Sequence, residues 1–256
     1  MDVRRYNREK WDLQVEHGNP WTIPCSPEVI SQARKGEWSV LLTEQRTVPR
    51  SWFPNDLHGV DILCLASGGG QQGPILAAAG GNVTVFDNSP RQLDQDRMVA
   101  RREGLGLITV EGDMRDLSVF NDGCFDLVFN PVSNVFCPEV RPVWREAFRV
   151  LRLGGVLLAG FGNPCMFIFD YPLAERGVFK VKYPLPFDAT QLSEEERHRE
   201  FGDESPLEFN HSLEEQIGGQ LEAGFLLIGL YEDKQDSALG KYIPAYIATR
   251  AIKPMK

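Results

Sequence analysis

Short apolar runs and amphipathic stretches take turns through the middle of the chain. "VDILCL", Val60 to Leu65, is a compact apolar run that stops at a glycine-rich loop, so it reads as a buried strand. "PILAAAGG" follows as a small-residue helix closed by Gly80-Gly81. A second strand, Val83–Phe86, ends on Asp87, and Ser89 then serves as a helix N-cap with Pro90 in the first helical position. "RQLDQDRMVARREG" carries that helix to a glycine stop; "LITVEGDM" and "CFDLVFNP" read as a third and a fourth strand. In "EVRPVWREAFRVLRLGG" the residues Val143, Ala147, Phe148 and Leu151 share one face, which predicts an amphipathic helix turning at Gly154-Gly155 into strand Val156–Gly160. Strands alternating with helices five times over predict an α/β fold with a doubly wound parallel sheet.

The rhythm breaks after Gly162. "MFIFDYP" and "FKVKYPLPF" have the alternation expected of a β-ribbon or flap, and "QLSEEERHREFGDE", with six carboxylates against two arginines, reads as a solvated loop or helix face. Ser212 and Glu215 form a capping box that opens the helix "LEEQIGGQLEA", which ends at Gly224. "FLLIGLYED" and "YIPAYIATRAIK" are spaced for an antiparallel hairpin rather than another crossover. Ahead of the sheet lie some 55 residues with Trp11, Trp21, Trp38 and Trp52, too few for a second domain and suited to cover the sheet or close over a site. The expected organisation is one domain over 1–256, with a cap or lid at 1–57 and an insertion at 163–210 that shapes a substrate pocket.

Charge narrows the function classes. The chain has 256 residues, is 42% hydrophobic and carries a net charge of −9, which fits a soluble enzyme and argues against a nucleic-acid partner. The start has no apolar signal segment and no run is long enough for a membrane span, so a cytoplasmic location without a membrane partner is expected; the oligomeric state is not readable. Cys25, Cys64, Cys124, Cys137 and Cys165 have neither paired nor metal-ligand spacing, and the four histidines are scattered; no metal is expected.

In an open parallel sheet, ligands sit past the carboxyl ends of the strands. Past the first strand come Ser67, Gly68, Gly69 and Gly70, where backbone can approach a ligand closely. Past the second is Asp87, about twenty residues beyond the first glycine and placed to accept both hydroxyls of a ribose. Past the third is Gly112-Asp113-Met114, whose carboxylate and thioether suit the amino group and face of an adenine; past the fourth is Asn130-Pro131. Gly68-x-Gly70-x-x-Gly73 alone would serve an NAD(P)-dependent oxidoreductase as well as an S-adenosyl-L-methionine (SAM) site. Four features favour the second, the first being the acid directly after a glycine at Gly112-Asp113. A long aromatic segment precedes the loop, the Tyr6-x-x-x-Lys10 pair lies on the wrong side of the nucleotide fold for a reductase, and the chain closes with a hairpin.

With "ILCLASGGGQ", "VTVFDNSPRQL", "EGDMRDL", "FDLVFN" and "EAFRVLRLGGVLLAG" in this order, the sequence resembles class I SAM-dependent methyltransferases of the small-molecule type, over residues 58–162 and again over 213–250. The resemblance implies a Rossmann-like, seven-stranded, mostly parallel sheet with an antiparallel C-terminal strand. It implies SAM as cofactor, a ribose contact at Asp87, adenine contacts at Asn88, Asp113 and Met114 beside Gly112, and methionine-moiety contacts around Gly68, Gly70 and Asn130. The first motif departs from the family's acid-x-Gly-x-Gly-x-Gly pattern: Cys64 stands for the acid and Ala66 for the first glycine. Either another residue does the acid's work, or the chain is a SAM-binding module without turnover.

Methyl transfer is an in-line displacement that needs alignment, exclusion of water and often one base. Candidates for the base are His211, Tyr171 and Asp170. "HGNPWTIPCS" could order over the cofactor as a lid with Trp21 near the methionine end, or Trp21 could simply anchor the segment. Asn130-Pro131 is similar to the start of the Asn-Pro-Pro-aromatic motif of amino methyltransferases that act on planar nitrogens, but continues Val132-Ser133 without the stacking aromatic. A small-molecule acceptor is the expectation.

Overall fold

The computed structural model describes residues 1–255. Seven strands form one sheet: β1 (Asp61–Leu65), β2 (Asn82–Asp87), β3 (Leu107–Glu111), β4 (Phe125–Asn130), β5 (Leu151–Gly162), β6 (Leu226–Asp233) and β7 (Tyr246–Ile252). Their order is β3-β2-β1-β4-β5-β7-β6, with β7 antiparallel to both neighbours and the others parallel. The order reverses between β1 and β4, so the carboxyl ends of these two strands flank the switch point where such sheets hold ligands.

β1 shows why the run at 61–65 is uniformly apolar. Ile62 and Cys64 belong to the core on one face and Leu63 and Leu65 to the core on the other, all fully buried. On the first face lie α2 (Pro27–Ala33), α3 (Gln72–Ala78), α4 (Pro90–Glu103) and the tryptophan-rich amino-terminal segment; on the second lie α5 (Arg141–Val150) and Phe225. The predicted N-cap is present: Ser89 Oγ accepts from Gln92 N at 3.1 Å, a bond contributing about 1 kcal/mol, and α4 stops at Gly104 in the left-handed conformation (φ 65°). At Gly160 an added Cβ would stand 2.0 Å from the carbonyl oxygen of Leu42, so glycine is what lets the amino-terminal segment cross β5.

Two boundaries differ from expectation. α5 ends at Val150, and Leu151 already pairs with Phe125 as the start of β5; Gly154 (φ 78°) lies within that strand, which continues to Gly162. The terminal hairpin begins its second strand at Tyr246 rather than Tyr242, because Leu239–Lys241 form a helical turn.

The insertion differs more. It is not a β-ribbon. Residues 164–201 carry short helices, including a turn at Pro164–Ile168, α6 (Tyr171–Glu175) and α7 (Glu194–Phe201), tied by isolated bridges at Phe169–Val181 and Asp188–Phe209. Its aromatics bury one another instead of alternating across a ribbon: Phe187, Ala189, Leu207 and Phe209 form a small core with Phe167, Tyr183 and Phe201. Val3 and Tyr6 of α1 (Val3–Glu16) join that core, so the two covering segments make one structure. The acidic stretch is a helix with Glu194 and Glu195 exposed, the solvated face expected, while Glu200 is buried against Lys182. Past it, the Ser212–Glu215 capping box opens a π-turn (Glu214–Gly218) that leads into α8 (Gly219–Glu222).

Candidate active site

A cavity of about 860 Å³ lies over the carboxyl ends of β1 to β4, within the size range of small-molecule and cofactor sites. Ala66, Ser67, Gly68, Gln71 and Gln72 line its glycine-loop side. Ala66 stands at the family's first glycine, yet the backbone keeps the left-handed conformation that glycine would supply (φ 48°). Ser67 is buried and its hydroxyl has no hydrogen-bond partner among the described residues. Gly68 N–H donates to Asp87 Oδ2 at 2.9 Å, and a Cβ on Gly68 would approach Gln92 Cβ to 2.7 Å. Gly69 and Gly70, both at positive φ, sit behind the cavity rather than in its lining.

Gly69 N–H is shared between Gln92 O and Asp96 Oδ2, each at 3.1 Å. Asp96 is fully buried in α4, within electrostatic range of the Cys64 thiol, and burial raises its pKa well above the usual carboxylate range. An acidic side chain therefore does reach the glycine loop, from α4 rather than from β1, but it stands behind the loop and not in the cavity lining. Leu93, Asp96 and Val99 at three-residue spacing put an acid on α4's apolar face, a signal already present in the sequence.

The next strand ends supply the remaining floor. Asp87 accepts from Gly68 N and from Ser89 N, at 2.9 Å each, leaving two of its four lone pairs for a ligand; burial raises its pKa. Asn88 lines the cavity, but its amide is engaged by Arg4, which donates from Nε to Oδ1 at 3.1 Å and accepts from Nδ2 at its carbonyl. At Gly112 a Cβ would lie 2.1 Å from Phe86 Cζ, so no side chain fits. Asp113 is clasped by the Arg115 guanidinium (Nη2 to Oδ2, 2.7 Å) and by Arg115 N; these bonds hold its carboxyl below the usual range and fix its orientation beside Met114. Asn130 departs from expectation. Fully buried, it is absent from the cavity lining and braces the floor, donating to Leu65 O at 3.0 Å and Ser133 Oγ at 2.8 Å.

The roof comes from α1 and the insertion. Arg4, Asn7 and Trp11 of α1 line the cavity, and Asn7 pins the helix by donating to Phe136 O and Leu207 O and accepting from Leu207 N. Residues 19–25 lie directly on the glycine loop: Cys25 N donates to Gly70 O at 2.9 Å, and Gln71 Nε2 donates to Pro20 O and Ile23 O. Trp21 lines the cavity and is 46% exposed, so it is not a core anchor.

Comparison with known proteins decides the family. The methyltransferase domain family matches residues 63–159. The chain is similar to the uncharacterized methyltransferase YbaJ of Bacillus subtilis (strain 168), with 51% identity over 249 residues and 97% of each chain covered. The chain belongs to the class I SAM-dependent methyltransferases. A further relative is 2-methyl-6-phytyl-1,4-hydroquinone methyltransferase 1, chloroplastic, of Oryza sativa subsp. japonica, 33% identical over 125 residues that span 47% of this chain and 36% of that one. Among solved structures, a SAM-dependent methyltransferase from Listeria monocytogenes superposes with a TM-score of 0.62 at 16% identity, covering 80% of this chain and 95% of that one. The residues fit the family's cofactor, SAM: an orphaned Ser67 hydroxyl, glycines at 68 and 112 that admit no side chain, and an Asp87 carboxylate with unfilled lone pairs.

For this methyltransferase the proposed bases separate. Asp170 caps α6, accepting from Leu173 N, and pairs with Lys182 Nζ at 3.2 Å; it does not line the cavity. His211 lines the cavity and is 4% exposed, with Nε2 donating to Asn134 O and Cys137 O at 3.1 and 3.0 Å. Its lone pair is therefore on Nδ1, and burial lowers its pKa so that the ring stays neutral. Tyr171 lines the cavity, and burial together with Glu175 and Glu208 pushes its phenol up to about 12. Sequence reasoning missed Glu44, Glu208 and Tyr246, which share this end of the cavity. Each sits in an irregular segment or at a strand start, without a motif to mark it.

Proposed function

We propose that this methyltransferase moves the methyl group of SAM onto a small molecule in the roofed end of the cavity, by in-line displacement. The observation that carries this reading is the roof. α1 and residues 163–210 share one apolar core above the strand ends, which limits the acceptor to what fits beneath that roof. The net charge of −9 fits such an acceptor and opposes a polyanion.

SAM supplies an electrophilic methyl on a sulfonium; the chain's residues bind, orient and keep water out. In this reading Ser67 and the Gly68 backbone meet the methionine moiety, with Gly69 and Gly70 holding the loop's shape and Asn130 bracing it. Asp87 takes the ribose hydroxyls; Asn88, Gly112, Asp113 and Met114 face the adenine. Trp21 and the cap at 1–57 close the methionine end.

The test is to incubate the purified chain with methyl-labelled SAM and a cell extract, then separate the products by ultrafiltration. A labelled low-mass product, resolved from SAM by chromatography and absent when the chain is omitted, is the expected result; label retained with protein or nucleic acid would overturn the small-molecule reading.

A further inference from the structure

The two ends of the cavity differ in charge. Among the lining side chains of the described residues the cations are Arg4 and Arg115, and both are committed at the nucleotide end, to Asn88 and Asp113. The acceptor end is lined by Glu44, Glu175 and Glu208 with the phenols of Tyr171 and Tyr246. These groups influence one another across the space: Glu44, Glu208 and Tyr171 all raise the Tyr246 phenol, and Glu175 and Glu208 raise that of Tyr171. His211 is neutral and offers no countercharge. Desolvation of the half-buried Glu208 lifts its carboxyl to about 7, with no cation opposing it.

A second observation points the same way. Asn210 is 4% exposed and lines the cavity, and its Oδ1 has no hydrogen-bond partner among the described residues. Asn210 belongs to the wall of the same cavity as the carboxylates. The end of the cavity is therefore rich in acceptors and negative charge, with Phe167, Phe201 and Phe209 along its walls. Buried acceptors and aromatic faces together suit a ligand that donates hydrogen bonds and carries positive charge.

Resting on the methyl-transfer reading, we infer that the acceptor is a basic amine, received by Glu208 with Glu44, Asn210 and the phenols of Tyr171 and Tyr246. An alkylamine arrives as an ammonium ion and must lose one proton before its nitrogen lone pair can attack. The Glu208 carboxylate takes that proton. The N–C bond then forms as the S–C bond breaks, with the departing electron pair going to sulfur. The product is the methylated ammonium ion, whose charge rests against Glu44. Glu208 is a catalytic residue in this scheme; Glu44 and Asn210 orient the acceptor.

The experiment is titration calorimetry on the full chain saturated with S-adenosylhomocysteine. The probes are matched amine, alcohol and carboxylate members of alkyl, phenylalkyl and indolylalkyl series. In the best-fitting series the amine is expected to bind about tenfold or more tighter than the alcohol, and the carboxylate weakest. Glu208→Gln, verified as folded by its cooperative melt, is expected to reduce that preference to about twofold or less. Alcohols or carboxylates binding as well as amines, no amine binding in any series, or a preference that survives Glu208→Gln would each overturn the inference. Failure of S-adenosylhomocysteine to bind would instead overturn the methyl-transfer reading beneath it.

Discussion

The floor and the roof of the cavity are built by different means. The floor is backbone and strand ends: Asp87 is the last residue of β2, and Gly68, Gly112 and Asp113 follow β1 and β3 by one to three residues, so the sheet itself fixes their spacing. The roof is side-chain chemistry from segments far apart in sequence, with Asn7 joined to Leu207 and Arg4 to Asn88. A floor of this kind serves one cofactor with little variation, whereas a roof of this kind can be refitted to a new acceptor without disturbing the sheet. The floor should therefore govern cofactor affinity and the roof acceptor choice and turnover.

The largest expected effect comes from removing part of the roof. Deleting residues 1–18 takes away α1 with Arg4, Asn7 and Trp11 but leaves 19–25 on the glycine loop and α2 in the core. Methyl transfer should fall by about 10³-fold or more as water enters and the acceptor loses its walls. Circular dichroism should still show a cooperatively melting domain. Transfer at the full rate would show that α1 is no part of the site.

Glu208→Gln probes the roof's charge more finely. A carboxyl whose folded pKa is raised favours the folded state while it holds its proton; that contribution is complete below the ordinary glutamate range and is lost as pH climbs towards about 7. The variant has no such loss. Its Tm should therefore rise relative to wild type between about pH 4.5 and 7 and then run parallel. A constant difference across that window would mean that the Glu208 carboxyl is not desolvated in the fold. In the enzyme, amine methylation should increase as pH passes about 7, since only the carboxylate can take the proton.

Much of the floor was legible because short continuous apolar runs, glycine and Asp mark strands and their ends locally. Ser89 and Pro90 announced α4, and the terminal hairpin announced the antiparallel strand. The roof was not legible for a physical reason: its aromatics at 163–209 satisfy each other in a small core, and mutual burial leaves no periodic trace. Asn130 misled because a polar residue after a strand can brace the sheet as readily as face a ligand. At Cys64 the expected acid is absent from β1, and the fold brings a different acid, Asp96 of α4, to Gly69 behind the cavity.

The smallest effect is within the floor. Ala66 occupies a left-handed conformation that costs alanine about 1 kcal/mol, part of which glycine would give back as unfolded-chain entropy. Ala66→Gly should raise stability by about 0.5 kcal/mol, or about 1–2 °C in Tm, with cofactor affinity unchanged. A fall in Tm would mean that the Ala66 methyl contributes packing worth more than the strain.

The division between floor and roof is tested most directly by calorimetric titration of S-adenosylhomocysteine into wild type, Asp87→Ala and Glu208→Gln. Loss of the Asp87 carboxylate should weaken binding by about 100-fold, while Glu208→Gln should stay within about twofold of wild type. Wild-type affinity in Asp87→Ala, or equal losses in both variants, would contradict the account.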